Sequence, residues 1–174
     1  MNTRIEGRTV KRIPLLSIEA AARGFTVMEL MVTVAIIAIV AGFGIPAFNR
    51  MAVNGNLRTA ARDIMGDIAN LKEGAMAYNQ QLSIGFDTGA NSYTLQRLPP
   101  NPDGTLTNIN KSPASFGQGI QLTGVAFGAG TTVTFLTRGT LQQGGNIVLT
   151  NSRGSTATIT CNLSGRTYVQ FTMQ

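Results

Sequence analysis

The sequence has no histidine, no tryptophan and a single cysteine in 174 residues. Without an imidazole there is no Ser-His-Asp triad and no Cys/His zinc cluster. The lone Cys161 cannot close an intrachain disulfide. Charged residues are scarce at 13% and aromatics at 6%. Hydrophobic residues reach 43%, enough to bury a core, so disorder along the whole chain is excluded. The length fits one compact domain with an appendage.

The acids and serines give no catalytic constellation either. Ser152, Ser155 and Ser164 have no histidine to activate them. Asp87 and Asp103 lie in turn-like segments, where aspartate is favoured for local hydrogen bonds. They are the only two acids beyond residue 80, too few for a calcium site. The residues therefore point away from an enzyme, and no cofactor or metal is implied. The formal charge is +6. Residues 1–24 carry +3 of it, from Arg4, Arg8, Lys11, Arg12 and Arg23 against Glu6 and Glu19. Residues 81–174 carry another +3, thinly spread, without the dense basic cluster of a dedicated DNA-binding domain.

What the chain does have is a long hydrophobic run. Phe25 to Phe48 holds one charge, Glu29. As a helix it spans roughly 36 Å, enough to cross a hydrocarbon layer of about 30 Å. The basic flank before it predicts a single-pass membrane topology, with residues 1–24 cytoplasmic and the rest outside. Residues 49–80 then read as an amphipathic helix. Leu57, Ala61, Ile64, Ile68, Leu71, Ala75 and Tyr78 recur at steps of three and four and form one apolar stripe. Arg58, Arg62, Asp63, Asp67, Lys72 and Glu73 fall mostly off it. Pro46 is expected to kink the helix or release a hydrogen bond near the membrane surface.

After Gln80 the pattern changes. Sixteen of the 21 threonines lie there, and β-branched runs alternate with Gly, Asn, Asp and Pro. Strands are expected near 81–86, 92–97, 119–126, 131–137, 145–150, 156–161 and 166–172. Asp87–Asn91 and Asn162–Gly165 read as hairpin turns. Residues 98–118 read as a long loop or insertion. Ala157, Ile159 and Cys161 share one strand face, which makes Cys161 a core residue rather than a nucleophile. The expected fold is α+β: a long N-terminal helix packed on an antiparallel C-terminal β-domain. The boundaries are 1–24, 25–48, 49–80 and 81–174.

The junction Arg23-Gly24-Phe25-Thr26-Val27-Met28-Glu29-Leu30 inverts the order of a secretory signal, because the apolar stretch follows the glycine. A carboxylate four residues into an apolar run is costly and calls for a positive partner. A cut after Gly24 would supply one, the new α-amino group of Phe25. This junction resembles that of the type IV prepilins, the broad family of type IV pilins and type II secretion pseudopilins. The resemblance implies that a prepilin peptidase cuts after Gly24 and methylates Phe25. It further implies that Glu29 neutralises a neighbouring subunit's amine during assembly. Pro46 matches the proline that follows the membrane stretch in many members. The leader, at 24 residues, is longer than most in the family.

Farther on, Phe135-Leu136-Thr137-Arg138-Gly139-Thr140, Gly145-Asn146-Ile147-Val148-Leu149 and Ser164-Gly165-Arg166 resemble the C-terminal pattern of the GspH/FimT pseudopilins. The resemblance implies a minor subunit of a type IV pilus or a type II secretion system, with the prepilin peptidase, other pilins and the inner membrane as partners. Some FimT-type pilins take up DNA through a Gly-Arg-x-Arg motif. Here Gly165-Arg166-Thr167-Tyr168 carries tyrosine in place of the second arginine. Arg138, Arg153 and Arg166 remain candidates for phosphate contact along one sheet edge. The reading as solvated turn residues is preferred for them.

Overall fold

The structure is a computed structural model that describes residues 24–96, 98 and 100–174. The leader expected at 1–24 thus lies outside the described residues except for Gly24, as do Arg97 and Pro99 and the side chains of Phe43, Gly44 and Pro46. One helix, α1, covers Val27–Ala77. Eight strands follow: β1 (Leu82–Asp87), β2 (Ser92–Gln96), β3 (Asn108–Lys111), β4 (Gln121–Phe127), β5 (Thr132–Phe135), β6 (Gly145–Thr150), β7 (Thr156–Cys161) and β8 (Thr167–Thr172). A single 3-10 turn occupies Pro113–Phe116.

The chain divides into two units, one ending at Ala41 and one running from Gly42 to Gln174. In the first, the side chains of α1 are exposed throughout, from Val27 at 75% to Val40 at 65%. The most apolar 18 residues of α1 have a mean hydropathy of 2.4, long and apolar enough to cross a membrane.

The second unit holds the core. Its strands form two four-stranded antiparallel sheets, ordered β3-β2-β1-β5 and β4-β6-β7-β8. The antiparallel β-domain expected from the sequence is thus two sheets, because β5 returns to pair with β1 while β4 pairs past it with β6. Leu57, Ile64, Ile68 and Leu71 of α1 are buried against Ile84, Tyr93 and Val133 of one sheet and Ile147, Leu149 and Ile159 of the other. Each such aliphatic side chain contributes roughly 2 kcal/mol on burial. Strand residues alternate inside and out as the pleat requires; β7 buries Ala157, Ile159 and Cys161. The α+β fold expected from the sequence is the fold observed.

Three details differ. Tyr78 leaves the stripe and is 47% exposed, because α1 ends at Ala77. Ala60 joins the buried face. The segment 98–118 is not all loop: β3 pairs with β2, and Ser112 caps the 3-10 turn. Strand β3 is an edge strand whose Asn108, Ile109 and Asn110 are exposed, so it lacks the apolar alternation that marks the other strands.

Candidate functional site

Gly24 and Phe25 precede α1, and Phe25 is 76% exposed. Thr26 caps the helix: its hydroxyl accepts from the Glu29 N–H at 3.2 Å, and its carbonyl accepts from the Leu30 N–H at 3.1 Å. Thr26-Val27-Met28-Glu29 therefore has the spacing of a capping box, with an acid placed where the helix dipole favours it. The Thr33 hydroxyl turns back to the Glu29 and Leu30 carbonyls. Among the described residues no cation pairs with Glu29. Position 46 falls inside the helical span of α1.

The C-terminal motifs meet at one corner of the head. Two turns of the same kind close it. Gly139 donates to Leu136 and Gly165 donates to Asn162, both at 2.8 Å, with φ near +78° and +74°. Only glycine adopts such angles freely. A side chain at Gly165 would run into the Gly139 carbonyl, and one at Gly139 would meet Met76 Sδ at 2.6 Å. Lys72 of α1 donates from Nζ to the Gly165 carbonyl at 3.0 Å. The motif glycines thus allow two turns and the last turns of the helix to touch.

Arg138 and Arg166 project from these two turns and are exposed. Arg153 does not join them. It lies in the β6–β7 turn, whereas Arg166 lies in the β7–β8 turn at the other end of β7. The three arginines therefore do not line one edge. Tyr168 is 52% exposed. Asp87 accepts from the Gly89 and Ala90 N–H groups, and Asp103 from the Thr105 N–H and hydroxyl, so each serves its own turn. The Thr105 contacts hold the Asp103 carboxyl below its usual range. Burial pushes the Cys161 thiol up, partly offset by the Thr167 hydroxyl, as suits an inert core thiol.

A polar cluster escaped the sequence reading. Asp67, 8% exposed, accepts from the Tyr93 hydroxyl at 2.9 Å and from Lys111 Nζ at 2.8 Å. Asp63, one turn earlier, accepts from Tyr93 at 3.1 Å and from Lys111 at 3.4 Å. Burial, then the Asp67 and Asp63 carboxylates, raises the Tyr93 phenol above its ordinary pKa. Partial burial draws the Lys111 ammonium down, but the carboxylates together outweigh it and its pKa rises. The cluster fastens α1 to β2 and β3.

The family described as Type II transport protein GspH matches residues 60–165, which include this cluster and both corner glycines. The chain belongs to the GspH family. The prokaryotic N-terminal methylation motif matches residues 20–45, across the Gly24 junction. No curated protein matches the chain. The solved minor pseudopilin EpsH from the Type 2 Secretion System of Vibrio cholerae has the same fold, at a TM-score of 0.52 and 13% identity. The alignment covers 67% of this chain and 97% of EpsH. This GspH-family chain is therefore a type IV pilin-like pseudopilin, of a class made of structural subunits. Its apolar N-terminal helix fits anchoring in the inner membrane.

Proposed function

We propose that this GspH-family protein is a minor subunit of a type II secretion pseudopilus. In this reading residues 1–24 are a leader that prepilin peptidase removes after Gly24, methylating Phe25. Residues 25–48 are the membrane half of the helix, residues 49–80 its amphipathic half, and residues 81–174 a periplasmic head. The subunit joins other pseudopilins through the helix, with Pro46 beyond the membrane stretch, and is inserted into or caps the fibre. The observation that carries the reading is Glu29, an acid on an exposed apolar helix four residues after the expected new amine. An unpaired charge in apolar surroundings is costly, so pairing with a neighbour's amine sets the register of assembly.

Because Glu29 also stands at the acidic position of the first helical turn, two variants separate its charge from the start of the helix. Glu29→Gln keeps the capping geometry and removes the charge. It is expected to insert in the membrane, to be processed to a product about 24 residues shorter, and to be lost from purified fibres. Thr26→Ala keeps the charge and is expected to assemble. Normal incorporation of Glu29→Gln would sink the assembly role. The processing arm uses Gly24→Leu, which should leave the uncut precursor; an unchanged mature mass would place the cut elsewhere.

DNA uptake is the second reading. It retains Arg138 and Arg166, which share a corner, but not Arg153, which lies away from them.

A further inference from the structure

The head leaves one sheet edge open beside a basic face of its own helix. Strand β8 ends the sheet order β4-β6-β7-β8. The Asn162 N–H bonds to the Arg166 carbonyl, which sets the alternation along the β7–β8 pair. By that alternation Tyr168, Gln170 and Thr172 bond to β7, and the N–H and C=O groups of Thr167, Val169 and Phe171 point outward. Among the described residues nothing bonds to those outward groups.

Helix α1 runs beside this edge in the opposite direction. Arg58 lies over the Phe171 ring at 5.8 Å, and Lys72 reaches the Gly165 carbonyl. Around the second of these points lies a groove of about 590 Å³, with Met65, Ala69 and Met76 on the helix side and Thr167 and Tyr168 on the strand side, and Arg58 and Arg62 stand beyond it along the same helix. The helix positions 58, 62, 65, 69, 72 and 76 recur at steps of three and four and share one face. That face is patterned: Arg58 and Arg62 at one end, Met65 and Ala69 in the middle, Lys72 with Arg166 at the other. Glu73 is the one acid on the groove.

We propose that this edge takes an extended segment of a partner protein as an added strand. A fifth strand at the usual spacing of about 4.8 Å would continue the sheet over Met65 and Ala69. Roughly six residues cover the stretch from Arg58 to Lys72, about 20 Å along the helix. The occupant is apolar or β-branched at its centre and acidic at its ends, because it meets four cations there. A second copy does not supply it: beyond residue 80 this chain has only Asp87 and Asp103, each held in its own turn. The surface lies on the head, and neither Glu29 nor processing enters the argument.

The test uses the full chain in detergent micelles and a ten-residue peptide, Glu-Glu-Val-Thr-Val-Thr-Val-Thr-Glu-Glu, read by fluorescence anisotropy. Saturable binding is expected. N-methylation of the three valines, which blocks alternate backbone donors, should abolish it. Lysine in place of the four glutamates should weaken it about tenfold or more. Val169→Pro removes an outward N–H without touching the β7 ladder and should weaken binding similarly; Arg166→Glu, on an exposed turn, covers the case in which Val169→Pro misfolds. No binding, or equal binding of the methylated peptide, overturns the proposal. So does self-association lost in Val169→Pro, which would assign the edge to a second copy.

Discussion

Tyr93 ties α1 to β2 through two carboxylates. Its ring is 1% exposed and tilts against Phe86 at 5.7 Å, and its hydroxyl bridges Asp63 and Asp67. The phenol is held protonated by burial and by those carboxylates. In the unfolded chain it ionises near pH 10. Above that pH the unfolded state releases a proton that the folded state keeps, so stability falls as pH rises. Lys111 acts in the same direction: its folded pKa is raised, so its contribution is complete below the ordinary lysine pKa and is lost as pH climbs through the folded one. The Tyr93 contribution falls by about 1.4 kcal/mol per pH unit. Tyr93→Phe is expected to cost about 1–2 kcal/mol at neutral pH and to flatten this decline above about pH 10. Urea unfolding at a series of pH values checks it, and an unchanged decline would assign the effect to another group. In the sequence Asp67 stands out only as a polar residue on a helix. Its partner Lys111 is 44 residues away, in a segment without a strand pattern, and nothing local connects the two.

At the level of elements, the turns carry the family pattern. Gly154 and Gly165 both sit at left-handed φ, +82° and +74°, in turns of the same kind. Their surroundings differ. A side chain at Gly154 meets only Gln174, at 4.0 Å, whereas one at Gly165 collides with the Gly139 backbone. Gly154→Ala should therefore cost about 1 kcal/mol, the backbone penalty alone. Gly165→Ala should cost about 3 kcal/mol, since the opposing turn must move as well. Thermal unfolding of the two variants side by side separates these contributions; equal shifts would mean that the corner relaxes freely. That contrast bears on what a sequence discloses. Asn162–Gly165 is recognisable as a turn from its composition. Its contact with Leu136–Thr140 depends on β5 crossing back to β1, which no local pattern specifies. Strands β6 and β7 are readable to the residue, β7 by its strict alternation. Strand β3 is not, because Asn108-Ile109-Asn110-Lys111 has one face in water and the other on a single neighbour.

Over the whole molecule, the apolar run and the core do not overlap in sequence. Leu57 is the first residue of the buried cluster, and the large hydrophobics from Phe25 to Met51 described on the helix are exposed. A run of uniform apolarity is legible by counting, because membrane insertion depends on length and composition along one dimension. The head is a matter of pairing, so its outline was legible and its two-sheet closure was not. The same separation makes a truncation informative. Residues 53–174 retain every core residue. They also retain Asn54, whose side chain accepts from Asn151 at 2.8 Å and Ser155 at 2.9 Å and donates to the Gln174 carbonyl at 3.3 Å. Those bonds tie the new helix start to the sheet, where a bare end would fray. The shortened chain is expected to unfold cooperatively within about 5 °C of the full chain in detergent, a difference of roughly 1 kcal/mol, and to stay monomeric without detergent. The full chain without detergent should self-associate through its exposed apolar helix. Calorimetry and light scattering check both. A shortened chain that melts far lower would show that residues before Asn54 stabilise the head. One that aggregates would show an apolar surface on the head beyond the groove along β8.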